Sequence, residues 1–274
     1  MKIKFPTSIV VDVDTPFLNA FEIRMESLIK FLKPLGYMGM ELKITEPEKI
    51  PIKLFNQLLD SYQMKISALG TGGTYTRMGY ALSSNDDKIR QKAIERLGIY
   101  AGLVTEIQDP PKIIIGLIRG HNSIGQLKND AMQHLTKSLI EIDSICRDIG
   151  TQAVLEPINR FETDTVHTLE EAITLIQNNN LENIFPMVDT FQMNIEEDME
   201  YIYDKLGLHA KFIKHVHIAS CNRREPAQGC INFKKLINSL VENGYWGYFS
   251  LSTVMKPSFE AMARRSAEFL SKII

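Results

Sequence analysis

Three side chains that can bind a cation end three short apolar runs in the second half of the sequence. Glu156 follows Ala-Val-Leu, Asp189 follows Pro-Met-Val, and His217 ends His-Val-His. If these runs are strands, two carboxylates at one opening repel each other unless a cation or a proton lies between them. Carboxylate and imidazole donors suit Mn²⁺ or Mg²⁺, with Co²⁺ or Zn²⁺ as alternatives. The sequence therefore predicts a divalent metal site at Glu156, Asp189 and His217.

Each of these residues also has an ordinary structural explanation. A single acid that ends a strand is commonly a helix N-cap or a solvated loop residue, and a single histidine on a strand is commonly hydrogen-bonded in the core. Three such ends on consecutive strands give the metal site about the same weight as the structural explanation, so both stay open on the residues alone. His215 and His217 are two residues apart and face the same side of a strand, and we expect one of them to be a ligand.

The elements that position these residues follow from the periodicity of the chain. Short apolar runs alternate with helical patterns about eight times, at roughly 34 residues per repeat, which is the size of one strand, one helix and their loops. This predicts a (β/α)8 TIM barrel formed by residues 1–274 as a single domain. The predicted strands cover residues 7–11, 39–43, 65–69, 112–118, 153–156, 185–189, 212–218 and 248–251.

Helix signals separate these strands. Helices are predicted over 86–104, over 168–176 with a capping box from Thr168 to Glu171, and over 258–274. In such a barrel the active site lies at the carboxyl ends of the strands. The polar residues at those ends are Glu41, Arg119, His121, Glu156, Asp189, His215, His217 and Ser252.

Composition excludes several other classes of protein. The 274 residues carry 31 Lys and Arg against 33 Asp and Glu, a net charge of −2, which argues against a broad nucleic-acid surface. Uncharged apolar runs such as 113–118 are too short to span a membrane, and no secretory signal is visible at the start. The three cysteines lack CxxC spacing, so no disulfide framework is expected. We expect a cytoplasmic protein with no membrane and no nucleic-acid partner.

The motifs around the candidate metal site resemble a known family. Residues 155–162 are Leu-Glu-Pro-Ile-Asn-Arg-Phe-Glu, 188–197 are Val-Asp-Thr-Phe-Gln-Met-Asn-Ile-Glu-Glu, and 222–226 are Asn-Arg-Arg-Glu-Pro. Together with Gly-Tyr-Met-Gly-Met-Glu at 36–41, they resemble the sugar phosphate isomerase/epimerase superfamily of xylose isomerase-like barrels. The resemblance is strongest to the D-tagatose 3-epimerase and D-psicose 3-epimerase group.

The resemblance implies roles for individual residues. Glu156, Asp189 and His217 match three of the family's four metal ligands, and Glu156 also matches one of its two acid/base carboxylates. Glu162 and Arg223 match positions that hold the hydroxyls of the sugar. His215, beside the ligand, and the less firmly matched Glu41 and Arg119 are expected pocket residues. Such enzymes form dimers or tetramers, so a homo-oligomer that binds a sugar is expected.

Two positions depart from the family pattern. The family's second catalytic glutamate, which is also its fourth metal ligand, is replaced by Ser252, and a family histidine is replaced by Gln192. One base can move a proton between adjacent carbons on one face of a sugar, as in aldose–ketose isomerisation, but inversion at one carbon needs a group on each face.

Three functions remain open at this stage. The first is a metal-dependent isomerase or epimerase for a ketose or related sugar, phosphorylated or not, which works through an enediolate. The second is a non-catalytic sugar-binding barrel. The third is a nuclease of the endonuclease IV type, which is disfavoured because its multi-metal cluster needs more histidines at the mouth than the six of this chain supply.

Overall fold

Eight parallel strands close into a barrel in the computed structural model, which describes residues 3–13, 15–122 and 125–273. Each strand pairs with the next along the chain, and the last pairs with the first, as shown by Ser8 opposite Ser250. The strands are β1 (Thr7–Val13), β2 (Gly39–Ile44), β3 (Lys65–Gly70), β4 (Lys112–Ile115), β5 (Ala153–Leu155), β6 (Ile184–Asp189), β7 (His215–Ile218) and β8 (Phe249–Leu251).

Helices lie between the strands and complete the predicted (β/α)8 barrel, so the predicted fold class is confirmed. Short 3₁₀ turns at Lys33–Leu35, Pro47–Lys49 and Leu117–Arg119 join some of them. The α-helices of the described residues are α1 (Thr15–Leu18), α2 (Phe21–Leu32), α3 (Ile52–Tyr62), α4 (Gly72–Met78), α5 (Asp87–Glu106), α6 (Lys128–Ile149), α7 (Leu169–Asn178), α8 (Thr190–Glu196), α9 (Ile202–His209), α10 (Phe233–Glu242) and α11 (Phe259–Leu270).

The predicted helix starts agree with the observed caps. The Asp86 carboxylate accepts the N–H groups of residues 88 and 89 at the start of α5, and Ser258 caps α11. Thr168 and Glu171 form the expected capping box of α7. The last helix was predicted to reach residue 274, but α11 ends at Leu270, and residue 274 lies outside the described residues.

Two predicted strands are three residues longer than the observed ones, and the predictions for β5 and β8 are one residue too long. β4 ends at Ile115 instead of residue 118, because Gly116 takes φ −109° and ψ −114° and turns the chain into a 3₁₀ turn. β7 begins at His215 instead of residue 212, because the N–H of Phe212 donates to the carbonyl of His209 and closes the turn after α9. Both turns contain apolar side chains, so their sequences resemble those of buried strands and the predicted strands were too long.

A small apolar cluster inside the barrel supports the site. Ala68, Ile114, Val154 and Met187 come from β3 to β6 and pack together separately from the main core between sheet and helices. Successive strand residues alternate between the two faces, so the residue two positions after Val154 or Met187 faces the same interior. Those residues are Glu156 and Asp189, so both acids lie directly above this buried apolar cluster. That β1 closes on β8 supports the single-domain prediction, which remains a prediction.

Candidate active site

Asp189 is held in place by the helix that follows it. It ends β6, is 2% exposed, and its Oδ1 accepts the N–H groups of Phe191 at 2.8 Å and Gln192 at 3.2 Å at the start of α8. This N-cap leaves Oδ2 facing His217, whose Nδ1 lies 3.2 Å away. The structural explanation for Asp189 is therefore correct as well, because one oxygen caps a helix while the other faces the candidate ligands.

Glu156 reaches the same imidazole from β5. Its Oε1 lies 3.5 Å from Nδ1 of His217, and its Oε2 lies against Gly116, where a β-carbon would collide with it. One donor atom from each of Glu156, Asp189 and His217 lies within 4.8 Å of the others, and all three residues are buried. The structure thus brings together the three residues that the sequence predicts as metal ligands.

A second acid fixes the orientation of the histidine. Glu41 on β2 is 2% exposed, and its carboxylate accepts hydrogen bonds from Nε2 of His215 at 2.8 Å and from Nε2 of His217 at 3.0 Å. A neutral imidazole whose Nε2 carries the proton leaves Nδ1 as the acceptor, on the side of Asp189 and Glu156. A carboxylate behind a ligating histidine sets its tautomer in this way at many metal sites.

The neighbouring charges in this cluster shift the pKa values of its buried acid and imidazole groups. Burial alone would raise the pKa of Glu41, but the charge of His217 and the hydrogen bonds from both histidines lower it far below its usual value. Burial opposes a charge on His217, yet Glu41, Asp189 and Glu156 raise its pKa well above 6.5. Burial lowers the pKa of His215, although Glu41 partly offsets this. The raised pKa favours a charged imidazole on His217, which offsets the negative charge of the three acids around it.

Polar residues at the rim form a chain of hydrogen bonds. Nη1 of Arg223 donates to Oε1 of Glu162 at 2.9 Å, and Nδ2 of Asn159 donates to the same oxygen at 3.1 Å. The side-chain oxygen of Gln192 accepts the N–H of Asn159 at 3.1 Å and a second bond from the Asn159 side chain. The guanidinium of Arg223 also lies over the ring of Phe191, 4.8 Å from its centre. This network aims Glu162 and Arg223 at the cavity above the acids.

Arg119, which was expected to be a pocket residue, lies outside the described lining of the cavity. It is fully buried, and its guanidinium donates to the backbone carbonyls of Gly116, Thr165 and Val166, so it ties the loop after β4 to the segment before α7. It is absent from the described lining of the cavity, whereas Glu41, Glu156, Glu162, Gln192, His217, Arg223 and Ser252 all line it. His215 is also absent from that lining, since it lies behind Glu41.

Sequence reasoning missed one charged residue of the cavity. Lys43 lines it from β2 and has an exposed side chain. Its spacing of two residues from Glu41 on the same strand was a usable signal, because both must face the interior. A larger groove of about 520 Å³ lies against α2 and α11, but it lacks the clustered acids and imidazoles of the barrel mouth.

The chain is similar in sequence to a known family and to several named enzymes. Residues 29–273 match the family described as xylose isomerase-like TIM barrel, and the chain belongs to that family. It is 29% identical over 242 residues to the D-psicose 3-epimerase of Ruminiclostridium cellulolyticum, covering 83% of this chain and 77% of that one. It is 27% identical over 222 residues to the L-ribulose 3-epimerase of Methylomonas sp., covering 77% and 72% of the two chains.

Solved structures show the same fold. A structure of L-ribulose 3-epimerase superposes with a TM-score of 0.81 at 19% identity, covering 98% of this chain and 94% of that one. The apo form of 3-keto-D-glucoside 4-epimerase from E. coli gives a TM-score of 0.79 at 20% identity, covering 98% and 99%. The resemblance to the psicose and tagatose 3-epimerase group stated from the motifs is confirmed. None of the described helices has the length and apolar character needed to cross a bilayer.

Proposed function

We propose that this protein is a metal-dependent isomerase or epimerase that acts on a ketose or a related sugar. The observation that carries the proposal is the convergence of Glu156, Asp189 and His217 on one point at the barrel mouth. Relatives named as 3-epimerases of psicose and ribulose support the sugar substrate and the reaction class.

The donor set suits a hard divalent cation. Two carboxylates and one imidazole favour Mn²⁺ or Mg²⁺, with Co²⁺ or Zn²⁺ as alternatives. Glu156, Asp189 and His217 would hold the cation, and the bond from Nε2 of His217 to Glu41 leaves Nδ1 free to do so. When bound there, the cation would polarise the oxygens of the substrate next to the carbon that loses its proton.

Glu156 is the group we assign to proton transfer. It lines the cavity, and its Oε2 lies against Gly116, away from the imidazole. A carboxylate held next to a substrate carbon can take a proton α to a carbonyl, producing an enediolate, and return it to the same or the neighbouring carbon. Arg223 and Glu162 at the rim would hold the hydroxyls of the sugar so that the reacting carbon faces Glu156.

Ser252 shapes the reaction that such a site can perform. It lines the cavity from the end of β8, and a serine hydroxyl cannot act as a general base at neutral pH without a base of its own. Proton transfer on one face by Glu156 favours aldose–ketose isomerisation, whereas inversion at a single carbon requires a second proton carrier. We therefore place isomerisation ahead of epimerisation for this chain.

A non-catalytic sugar-binding barrel is the alternative. Ser252 and Gln192 favour it, because both replace groups that act in the family's catalytic pattern. It predicts that a sugar binds without being converted. A nuclease remains disfavoured by the net charge of −2. Cytoplasmic location, a homodimer or homotetramer, and the lack of nucleic-acid and membrane partners remain predictions.

The test is an assay for metal content and turnover on the purified protein. Metal is measured by elemental analysis after equilibration with Mn²⁺, and turnover is followed by chromatography with D-fructose, D-psicose, D-tagatose, L-ribulose, the matching aldoses and their phosphates. We expect one bound cation and conversion of at least one sugar, and loss of conversion in Glu156→Gln. Binding of a sugar without conversion would support the alternative. A protein that binds neither metal nor sugar would refute both.

A further inference from the structure

Two cysteines contact each other in the loop between β7 and α10. The N–H of Cys230 donates to Sγ of Cys221 at 3.4 Å, so the backbone of one cysteine lies against the sulfur of the other. Gly229 has φ +147°, and a β-carbon there would lie 3.0 Å from the same sulfur. Glycine therefore permits this close approach. Only three bonds separate the amide nitrogen of Cys230 from its own sulfur, and a side-chain hydrogen bond links the two thiols, so the two sulfurs are close neighbours in the loop.

The same loop presents Arg223 to the active-site cavity. The N–H of Arg223 donates to the carbonyl of Ser220 at 2.8 Å, and Arg223 has a left-handed φ of +59°. Its carbonyl accepts the N–H of Val254 at 2.8 Å, beyond β8. Cys221 is two residues before Arg223, so a constraint on Cys221 acts on the turn that holds the guanidinium against Glu162.

The third cysteine of the chain has a contrasting environment. Cys146 on α6 is 1% exposed, and burial, with the charge of Asp143, raises the pKa of its thiol to about 12. Cys230 is exposed and Cys221 is partly exposed, and a hydrogen bond from Cys230 lowers the pKa of the Cys221 thiol. The hydrogen bond with Cys221 raises the pKa of the Cys230 thiol. The thiolate is the reactive form of cysteine, so Cys221 is the attacking thiol of the pair and Cys146 is inert.

We propose that Cys221 and Cys230 form a reversible disulfide with each other by exchange with a small-molecule disulfide such as oxidised glutathione. This cross-link alters the loop that carries Arg223. The Cys221 thiolate attacks one sulfur of oxidised glutathione and releases one glutathione. The Cys230 thiolate then attacks Sγ of Cys221 in the mixed disulfide and releases the second. The two thiols lose two protons and two electrons in total, and one oxidised glutathione becomes two reduced ones.

The cross-link has two structural consequences. Cys230 loses the S–H group that now donates to Oδ1 of Asn194 on α8, 3.8 Å away, so the loop loses one contact with that helix. In addition, residues 221–230 become a closed ring, which restricts the freedom of the segment that contains Arg223. The disulfide therefore couples the redox state of the loop to the rim of the cavity.

The test uses the full-length protein with and without oxidised glutathione. After free thiols are blocked, trypsin cleaves at Arg223 and Arg224, between the two cysteines, so their peptides stay joined only if the disulfide exists. We expect the joined peptides after oxidation and their separation by dithiothreitol. Cys146 should remain a free thiol throughout, which serves as an internal control. Hydrogen exchange of residues 219–232 should slow in the oxidised protein.

Matched variants separate the proposed disulfide from general oxidation. Cys221→Ser and Cys230→Ser should each give at most a glutathione adduct on the remaining thiol, with no slowing of exchange. Adducts on both cysteines of the unaltered protein without joined peptides, or links only between chains, would overturn the proposal. Joined peptides with unchanged exchange over 219–232 would overturn the coupling to Arg223. None of these measurements depends on catalytic activity, so their outcome is separate from that of the proposed function.

Discussion

The two sides of the barrel mouth differ in how their polar groups are paired. On the side of β5 to β7, Glu156 and Asp189 both contact His217, and Glu41 lies behind the imidazole. On the side of β8, the hydroxyls of Ser250 and Thr253 are buried with no hydrogen-bond partner among the described residues. The named groups are charged and paired on the first side, and are neutral hydroxyls without a partner on the second.

This difference separates two tasks within one site. A buried hydroxyl without a partner costs about 1–3 kcal/mol, which a water or a substrate group can recover by bonding to it. The β5 to β7 side holds Glu156 and Asp189, the two acids that face Nδ1 of His217, whereas Ser252 lines the cavity just beyond β8. The contrast predicts large effects from substitutions on the charged side and smaller ones from those on the β8 side.

Glu156→Gln should give the largest effect. The amide keeps the size of the side chain but cannot accept a proton from carbon, so kcat should fall by about 10²- to 10⁴-fold. Steady-state rates on the converted sugar measure this. The control is Glu170→Gln, on the exposed face of α7, which should leave the rate unchanged. Equal rates in both variants would remove Glu156 from the chemistry.

Glu41→Gln should weaken metal binding without removing a ligand. Loss of the carboxylate that accepts the proton of Nε2 frees the imidazole of His217 to change tautomer, and such outer groups contribute about 10- to 100-fold in metal affinity. Calorimetric titration with Mn²⁺ measures the change. An unaltered affinity would show that the hydrogen bond does not orient the ligand.

Metal affinity should depend on pH through His217. The pKa of this residue in the metal-free protein lies well above 6.5, so the folded protein holds a proton that the cation must displace. Affinity should rise about tenfold per pH unit from pH 6.5 up to the raised pKa and then level off. The stabilisation from the bound proton has the opposite sign, since it is complete below pH 6.5 and is lost as the pH rises through the raised pKa.

These trends are measured by Mn²⁺ titration and by thermal unfolding of the metal-free protein across that range. A Mn²⁺ affinity that stays flat between pH 6.5 and the raised pKa would contradict a protonated His217.

Ser252→Glu should give the smallest but most informative effect. A carboxylate at the end of β8 adds a charged ligand, so Mn²⁺ affinity should rise by up to about tenfold, and inversion at one carbon should appear or increase. Ser252→Ala is the control and should change neither. Tighter metal binding without any gain in inversion would show that a missing carboxylate alone does not explain the chemistry of the β8 side.

The sequence predicted the barrel, and the convergence of Glu156, Asp189 and His217, because both depend on local pattern. Alternating strand faces and apolar runs fixed the positions of Glu156 and Asp189, and the caps of α5, α7 and α11 follow from single side chains. The predicted end of β4 was wrong because the backbone conformation of Gly116 ends the strand, although the residues after it are apolar.

Contacts between distant segments were beyond the sequence. Arg119 follows a strand as a pocket residue would, yet its guanidinium meets carbonyls of residues 165 and 166, which no local pattern reveals. The bond between Glu41 and His217 joins residues 176 positions apart and depends on closure of the barrel. Likewise, the contact between Cys221 and Cys230 depends on the conformation of Gly229 rather than on cysteine spacing.

Anomalous diffraction at the manganese edge from crystals equilibrated with Mn²⁺ tests the central claim most directly. We expect one strong peak bounded by the carboxylate oxygens of Glu156 and Asp189 and Nδ1 of His217. The peak should disappear in Asp189→Asn crystals treated in the same way. No peak at this point, or a peak only between Glu41 and His215, would contradict the assignment of the three strand ends as one metal site.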